Sequence, residues 1–288
     1  MTALDVGAAL PRRRPDILPA LTPLFVALVA APFVGSLSTF VTLTAAGLAM
    51  GMMIFTMASG LTLVFGMMDV LNFGHGAFIA LGAYVATLVL LPLAGWSASD
   101  SVALNLAAFL LAVVAAAAVC GLVGWAFERL IVKPVYGQHL RQILATIGGA
   151  IVAEQLIDAL WGPDQIPLAL PATFQGSFTL GEAAVEKYRV LATAVGLVVF
   201  AGEMLALNRT KIGLLIRAGV ENREMVEALG YRVDRLFVGV FMAGSALAGL
   251  GGAMMALYRG QAQATMGGEF LVLCFIVIII GGLGSVGG

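Results

Sequence analysis

Asp69, Asn72 and His75 bring an acid, an amide and an imidazole close together, and Gly74 and Gly76 flank the imidazole. No Ser-His-Asp set and no HExxH pattern accompanies them, so the group lacks the parts for hydrolytic or metal-assisted catalysis. What it offers is binding. A helix interrupted at glycines exposes free N–H groups to an anion and free carbonyls to a cation. The flanks make this unusual, because Gly60–Phe65 and Phe78–Ala86 are apolar enough for lipid. Hydrocarbon penalises each unsatisfied polar group by several kcal/mol. The stretch is therefore a break lining a protected cavity, a turn at the water boundary, or a site of close helix packing.

The elements that must position these residues follow from composition. Of 288 residues, 61% are hydrophobic and only 11% charged, with a mean hydropathy of +1.03. Soluble domains run near 45–50% apolar and about 25% charged, so the chain is an all-α polytopic membrane protein. Spans of roughly 20 apolar residues fall at 17–35, 40–66, 75–95, 102–126, 142–161, 188–207, 236–257 and 270–284. That is about eight transmembrane helices, some of them open to a break. Residues 1–16 form a lead, with Pro11 and Pro15 bracketing Arg12–Arg14, and no cleavable signal pattern follows. Cys120 and Cys274 sit in apolar runs and read as small buried hydrophobes.

Lysine and arginine placement orients the chain. With the N-terminus cytoplasmic, residues 12–14, 127–141 and 208–235 lie inside and hold all of the Lys and Arg except Lys187, Arg189 and Arg259. This bias supports four spans before Glu128. The outer loop 162–187 carries Pro163, Pro167 and Pro171, which favour extended or turn structure. It is a cap, a docking surface or a plain connector.

The inner loop 208–235 alternates six basic residues with four acids. Asn222 can cap a short helix and Gly230 can close it. Met225, Val226 and Leu229 share one face, with Arg223, Glu224 and Glu227 on others. Two turns of helix are not stable alone, so the segment docks on a soluble partner or lies on the lipid surface. No phosphate-binding G-x-x-x-x-G-K-[ST] loop is present, so the chain does not itself hydrolyse ATP, and no cofactor is expected in it.

Asn72-Phe-Gly-His-Gly76 with Leu81-Gly-Ala-Tyr84 closely resembles the signature of permease subunits of branched-chain amino acid ABC importers. Thr210–Leu236, with Glu227-Ala-Leu-Gly230, resembles the segment through which such permeases meet their ATPases. Phe241–Gly252 and Gly281-Gly-Leu-Gly-Ser285 resemble the family's small-residue helix and glycine-rich motif. The resemblance spans residues 38–288. It implies a single permease domain over 17–288, in a bacterial inner membrane. It also implies ATPase subunits that use the ATP, a second permease that is homologous or identical, and an extracytoplasmic solute-binding protein. Nucleic acid is not an expected partner; membrane lipid is. Two departures stand out. The family continues past GGLGS, which implies missing C-terminal helices, and Ala77 stands where the family often has Glu.

On this reading Asn72, Gly74, His75, Gly76, Gly282 and Gly284 line the substrate path. Asn222, Arg223, Glu224, Met225, Glu227, Leu229 and Gly230 couple it to the ATPase. A zwitterionic amino acid suits a broken helix, since it carries both charges. Glu154 and Asp158 share a helix face and either attract an ammonium group or form a satisfied pair. Glu203 is within reach of Arg209 or Lys211. Gly47 and Gly51, and the ladder Gly244, Ala248 and Gly252, should allow close helix approach. The methionines 50, 52, 53, 57, 67 and 68 serve as core filler or as an adaptable wall. A self-sufficient channel or secondary transporter for urea or amides is the rival reading; a membrane enzyme lacks a catalytic set.

Overall fold

The computed structural model of the chain describes residues 18–221 and 223–282. Residues 1–16, Asn222 and Gly284 lie outside them. Helices occupy all eight expected positions: α1 (Leu18–Ala30), α2 (Leu37–Met68), α3 (His75–Leu90), α5 (Val102–Phe127), α6 (His139–Trp161), α7 (Lys187–Arg209), α10 (Val233–Arg259) and α11 (Met266–Gly281). Short α4 (Ala94–Ser97), α8 (Lys211–Glu221) and α9 (Arg223–Ala228) join them. Five of these, α2, α5, α6, α7 and α10, are long and apolar enough to cross a membrane; α3 and α11 are shorter apolar helices. Ser36 and Ser101 start α2 and α5 by accepting the N–H groups of Thr39 and Leu104.

Helix α10 is the centre, packed against α2, α3 and α5. Glycine makes this possible. A Cβ on Gly244 would strike Gly60, one on Gly251 would strike Met57, and one on Gly252 would overlap the Ile79 carbonyl. Gly82 and Gly249 meet backbone to backbone in the same way. Because Gly244 faces Gly60 while Gly251 faces Met57, α10 runs antiparallel to α2. Within the chain the expected role of Gly47 and Gly51 is not met: nothing among the described residues lies within 4 Å of a Cβ at either position. The small-residue seam of α2 sits further along, at Gly60. Met53 and Met57 are fully buried in the core, whereas Met50, Met52 and Met67 are half-buried.

The outer loop is more ordered than its prolines suggest. Strand β1 (Ile166–Pro167) pairs with β4 (Gln261–Ala262), and β2 (Ser177–Leu180) forms an antiparallel hairpin with β3 (Ala183–Glu186). Gly181 turns that hairpin at φ +63°. Buried Asn105 fastens the loop to the bundle. Its Oδ1 accepts the Thr173 N–H at 3.0 Å, while its Nδ2 donates to the carbonyls of Trp96, Ser99 and Ser101. Nearby, Arg259 bridges Glu269 at 2.7 Å and lies over the Phe270 ring, tying the end of α10 to the start of α11.

Candidate functional site

Helix α2 stops at Met68 because Asp69 takes the left-handed conformation, φ +51°, which few residues adopt without glycine's freedom. The chain does not turn there and leave. Residues 69–74 run non-helically back along α6, and α3 begins only at His75. Asp69 lies 3.8 Å from His139 at the start of α6. Further along, the Phe73 N–H donates to Thr146 Oγ1 at 3.2 Å. At 1.5 Å per residue, the interval from His139 to Thr146 is about 10 Å. The break thus starts at the end of the bundle and delivers the α3 terminus well inside it.

A second ruler agrees. His75 is fully buried, and its Nε2 lies 2.9 Å from the Met57 carbonyl of α2, where it donates. Met57 precedes Met68 by about 16 Å of helix. Beyond His75, α3 stays beside α6, with Tyr84 against Trp161 at 5.2 Å between ring centres. His75 is therefore a strut between α2 and α3 through one ring nitrogen. Its other nitrogen, Nδ1, and both amide atoms of buried Asn72 find no hydrogen-bond partner among the described residues.

The two glycines have packing reasons. A Cβ on Gly74 would meet the Phe127 ring and Asn72 Oδ1, and one on Gly76 would sit 2.6 Å from the Gly267 carbonyl oxygen of α11. Helix α11 lies along the break, with Phe275 4.9 Å from Phe73 between ring centres. Between α3, α6 and α11 remains a cleft of about 60 Å³, lined by Phe73, Gly76, Ala77, Glu154, Gly267 and Leu271 among others. Glu154 thus faces the start of α3, one turn away from Asp158. Gly282, at φ +93°, ends α11. Sequence reasoning missed Thr146 and Gly267, and it read Met57 only as one of a cluster of methionines; all three touch the break from elsewhere in the chain. It also placed Glu203 wrongly: its Oε1 accepts from Ser59 at 2.7 Å, not from Arg209 or Lys211.

The second region lies between α7 and α10. Helix α8 was not expected there; Gly213 lets it fold tightly on the Leu207 backbone. Helix α9 ends as expected at Gly230, φ +86°. The Gly230 N–H donates to Glu227 and the Tyr231 N–H to Val226, the paired bonds of a Schellman cap. One face assignment needs correction. Val226 is 3% exposed and anchors α9 inward, whereas Met225 and Leu229, four residues apart, are 58% and 70% exposed. Arg223 and Glu224 form its first turn, and Glu227 is exposed.

Fold and site define a multi-pass α-helical membrane protein of the permease class, with a helix start held inside the bundle and a structured segment between two spans at one end. The family model for the permease component of branched-chain amino acid transport systems matches residues 43–288. The high-affinity branched-chain amino acid transport system permease protein BraD of Pseudomonas aeruginosa is 26% identical over 248 residues, 84% of this chain and 79% of its own length. The corresponding LivH proteins of Escherichia coli and Salmonella typhimurium are 26% identical over 250 residues, with the same two coverages. No solved structure matches the chain. The chain belongs to this permease family.

Proposed function

We propose that the chain is the membrane-spanning subunit of an ATP-driven importer for branched-chain or related amino acids. It forms half of the translocation path with a homologous or identical permease, while separate ATPase subunits supply the energy. An extracytoplasmic binding protein delivers substrate to the face capped by the 162–187 loop. The N-terminus is cytoplasmic, which puts α8 and α9 on the ATPase side, together with most of the lysines and arginines. Asn72, Gly74, His75, Gly76 and Gly282, with Gly284 beyond the described residues, belong to the path.

The observation that carries this reading is α9. Val226 fixes it to its own subunit, Gly230 caps it, and Met225 and Leu229 point away. Asn222, Arg223, Glu224 and Glu227 complete this coupling segment. A short helix pinned from behind, with an apolar pair in front, is a docking element for a groove. The test is co-purification with the ATPases followed by hydrolysis assays in vesicles. M225A/L229A should weaken ATPase association by roughly tenfold or more, the scale of two interface anchors. Unchanged association and undiminished ATPase stimulation would leave the segment as a lipid-surface helix and remove the coupling role.

A further inference from the structure

A cavity of about 560 Å³ opens where α5 ends and α10 begins, outside the break and beside α9. One wall is Trp125, Arg129 and Lys133; the other is Tyr231, Arg232 and Arg235. The charges do not balance. Lys133 lies 3.7 Å from Asp234, and Glu227 is the second acid on the wall. The side chains of Arg129, Arg232 and Arg235 make no ion pair or hydrogen bond with any described residue. Three guanidinium groups therefore converge on one concavity and leave it net positive. Like charges lining one concavity repel even where they meet water, so the arrangement favours an anion.

The depth of the cavity selects which anion. Trp125 is on α5 one turn before Arg129, which is the first basic residue after the uncharged run from Val102 to Phe127. Leu122 and Leu130 beside it are strongly exposed. The cavity thus sits where an apolar, lipid-facing wall gives way to charge, the level at which tryptophan and phospholipid headgroups lie. Guanidinium forks match phosphate oxygens in pairs, and basic pockets between helices at this level suit anionic headgroups. We propose that the cavity binds the phosphodiester headgroup of an anionic phospholipid, with its acyl chains along the Leu122–Trp125 face. A carboxylate from a soluble partner would satisfy the arginines but not the exposed apolar wall beneath them.

The full chain with W96F and W161F keeps Trp125 as its only tryptophan and reports on this site by fluorescence. It is reconstituted with phosphatidylglycerol or phosphatidylcholine carrying brominated acyl chains, which quench a neighbouring indole. Half-maximal quenching should need about tenfold less brominated phosphatidylglycerol than phosphatidylcholine. R129Q/R232Q should erase that preference while circular dichroism and monodispersity stay unchanged. Equal quenching by the two lipids in the parent protein overturns the proposal whether or not the variant folds. So does a preference that persists in the variant. Loss of the preference on adding millimolar inorganic phosphate at constant ionic strength assigns the site to free phosphate instead. A variant that keeps the preference but no longer co-purifies with ATPase assigns the arginines to the partner.

Discussion

Substituting alanine for glycine at two positions should produce opposite effects, and the sign is set by what each Cβ meets. At Gly82 the new methyl group would overlap the Gly249 backbone of α10, which cannot rotate away as a side chain could. Ordinary carbon contacts begin near 3.5 Å, so α3 and α10 must move apart at their tightest crossing. Overpacking of this kind costs roughly 1–3 kcal/mol, offset by about 1 kcal/mol of improved helix propensity. At Gly51 nothing lies within 4 Å, so only the propensity gain of about 1 kcal/mol remains. The two variants should differ by about 1–3 kcal/mol. At roughly 2–4 °C per kcal/mol for a chain of this size, that is a gap of about 2–12 °C in the unfolding midpoint. Thermal unfolding of the purified subunit in one detergent, followed by intrinsic fluorescence, reads it directly. A G51A midpoint at or below that of G82A would refute the assignment of α10 as the packing centre.

H75A should abolish the strut to Met57 and leave a buried hole, lowering vesicle uptake several-fold without preventing assembly; normal uptake would remove His75 from the path. N105A deletes the acceptor for Thr173 and three donor contacts, costing about 1–3 kcal/mol, and limited proteolysis should then cut between residues 162 and 187 faster. G230A forces a side chain into the left-handed cap at a cost of about 1 kcal/mol. It should lower ATPase stimulation while leaving the midpoint of the membrane bundle unmoved.

The helices were legible because lipid demands long apolar runs: each of the eight runs falls on a helix, five of them long and apolar enough to span. Shorter features were not. Two-residue strands such as Ile166–Pro167 have no periodicity to read, and α8 was missed because the capping residues Asn222 and Gly230 drew the expected helix to the second half of the inner loop. The break at Asn72–Gly76 was visible as a chemical misfit, but its depth was not, since Thr146 and Met57 fix it from far along the chain. Gly47 and Gly51 carry the four-residue spacing of a packing motif with no described atom within 4 Å of a Cβ there, while Gly82 and Gly249, which are not paired by any such spacing, touch. Spacing marks where close approach is allowed, and only the tertiary fold decides where it occurs.

Where α10 crosses α2 at Gly60–Gly244 and α3 at Gly82–Gly249 the backbones meet without side chains between them, and this sets what kinds of motion are cheap at those points. Interlocked leucines resist sliding because each knob must climb out of its hole. Facing glycines have no knobs, so a slip along the long axis meets little steric resistance, while pulling the helices apart forfeits the whole seam. These two crossings thus favour shear over hinge opening. A push delivered at one end of α10 would reach the opposite end as an axial shift of a rod.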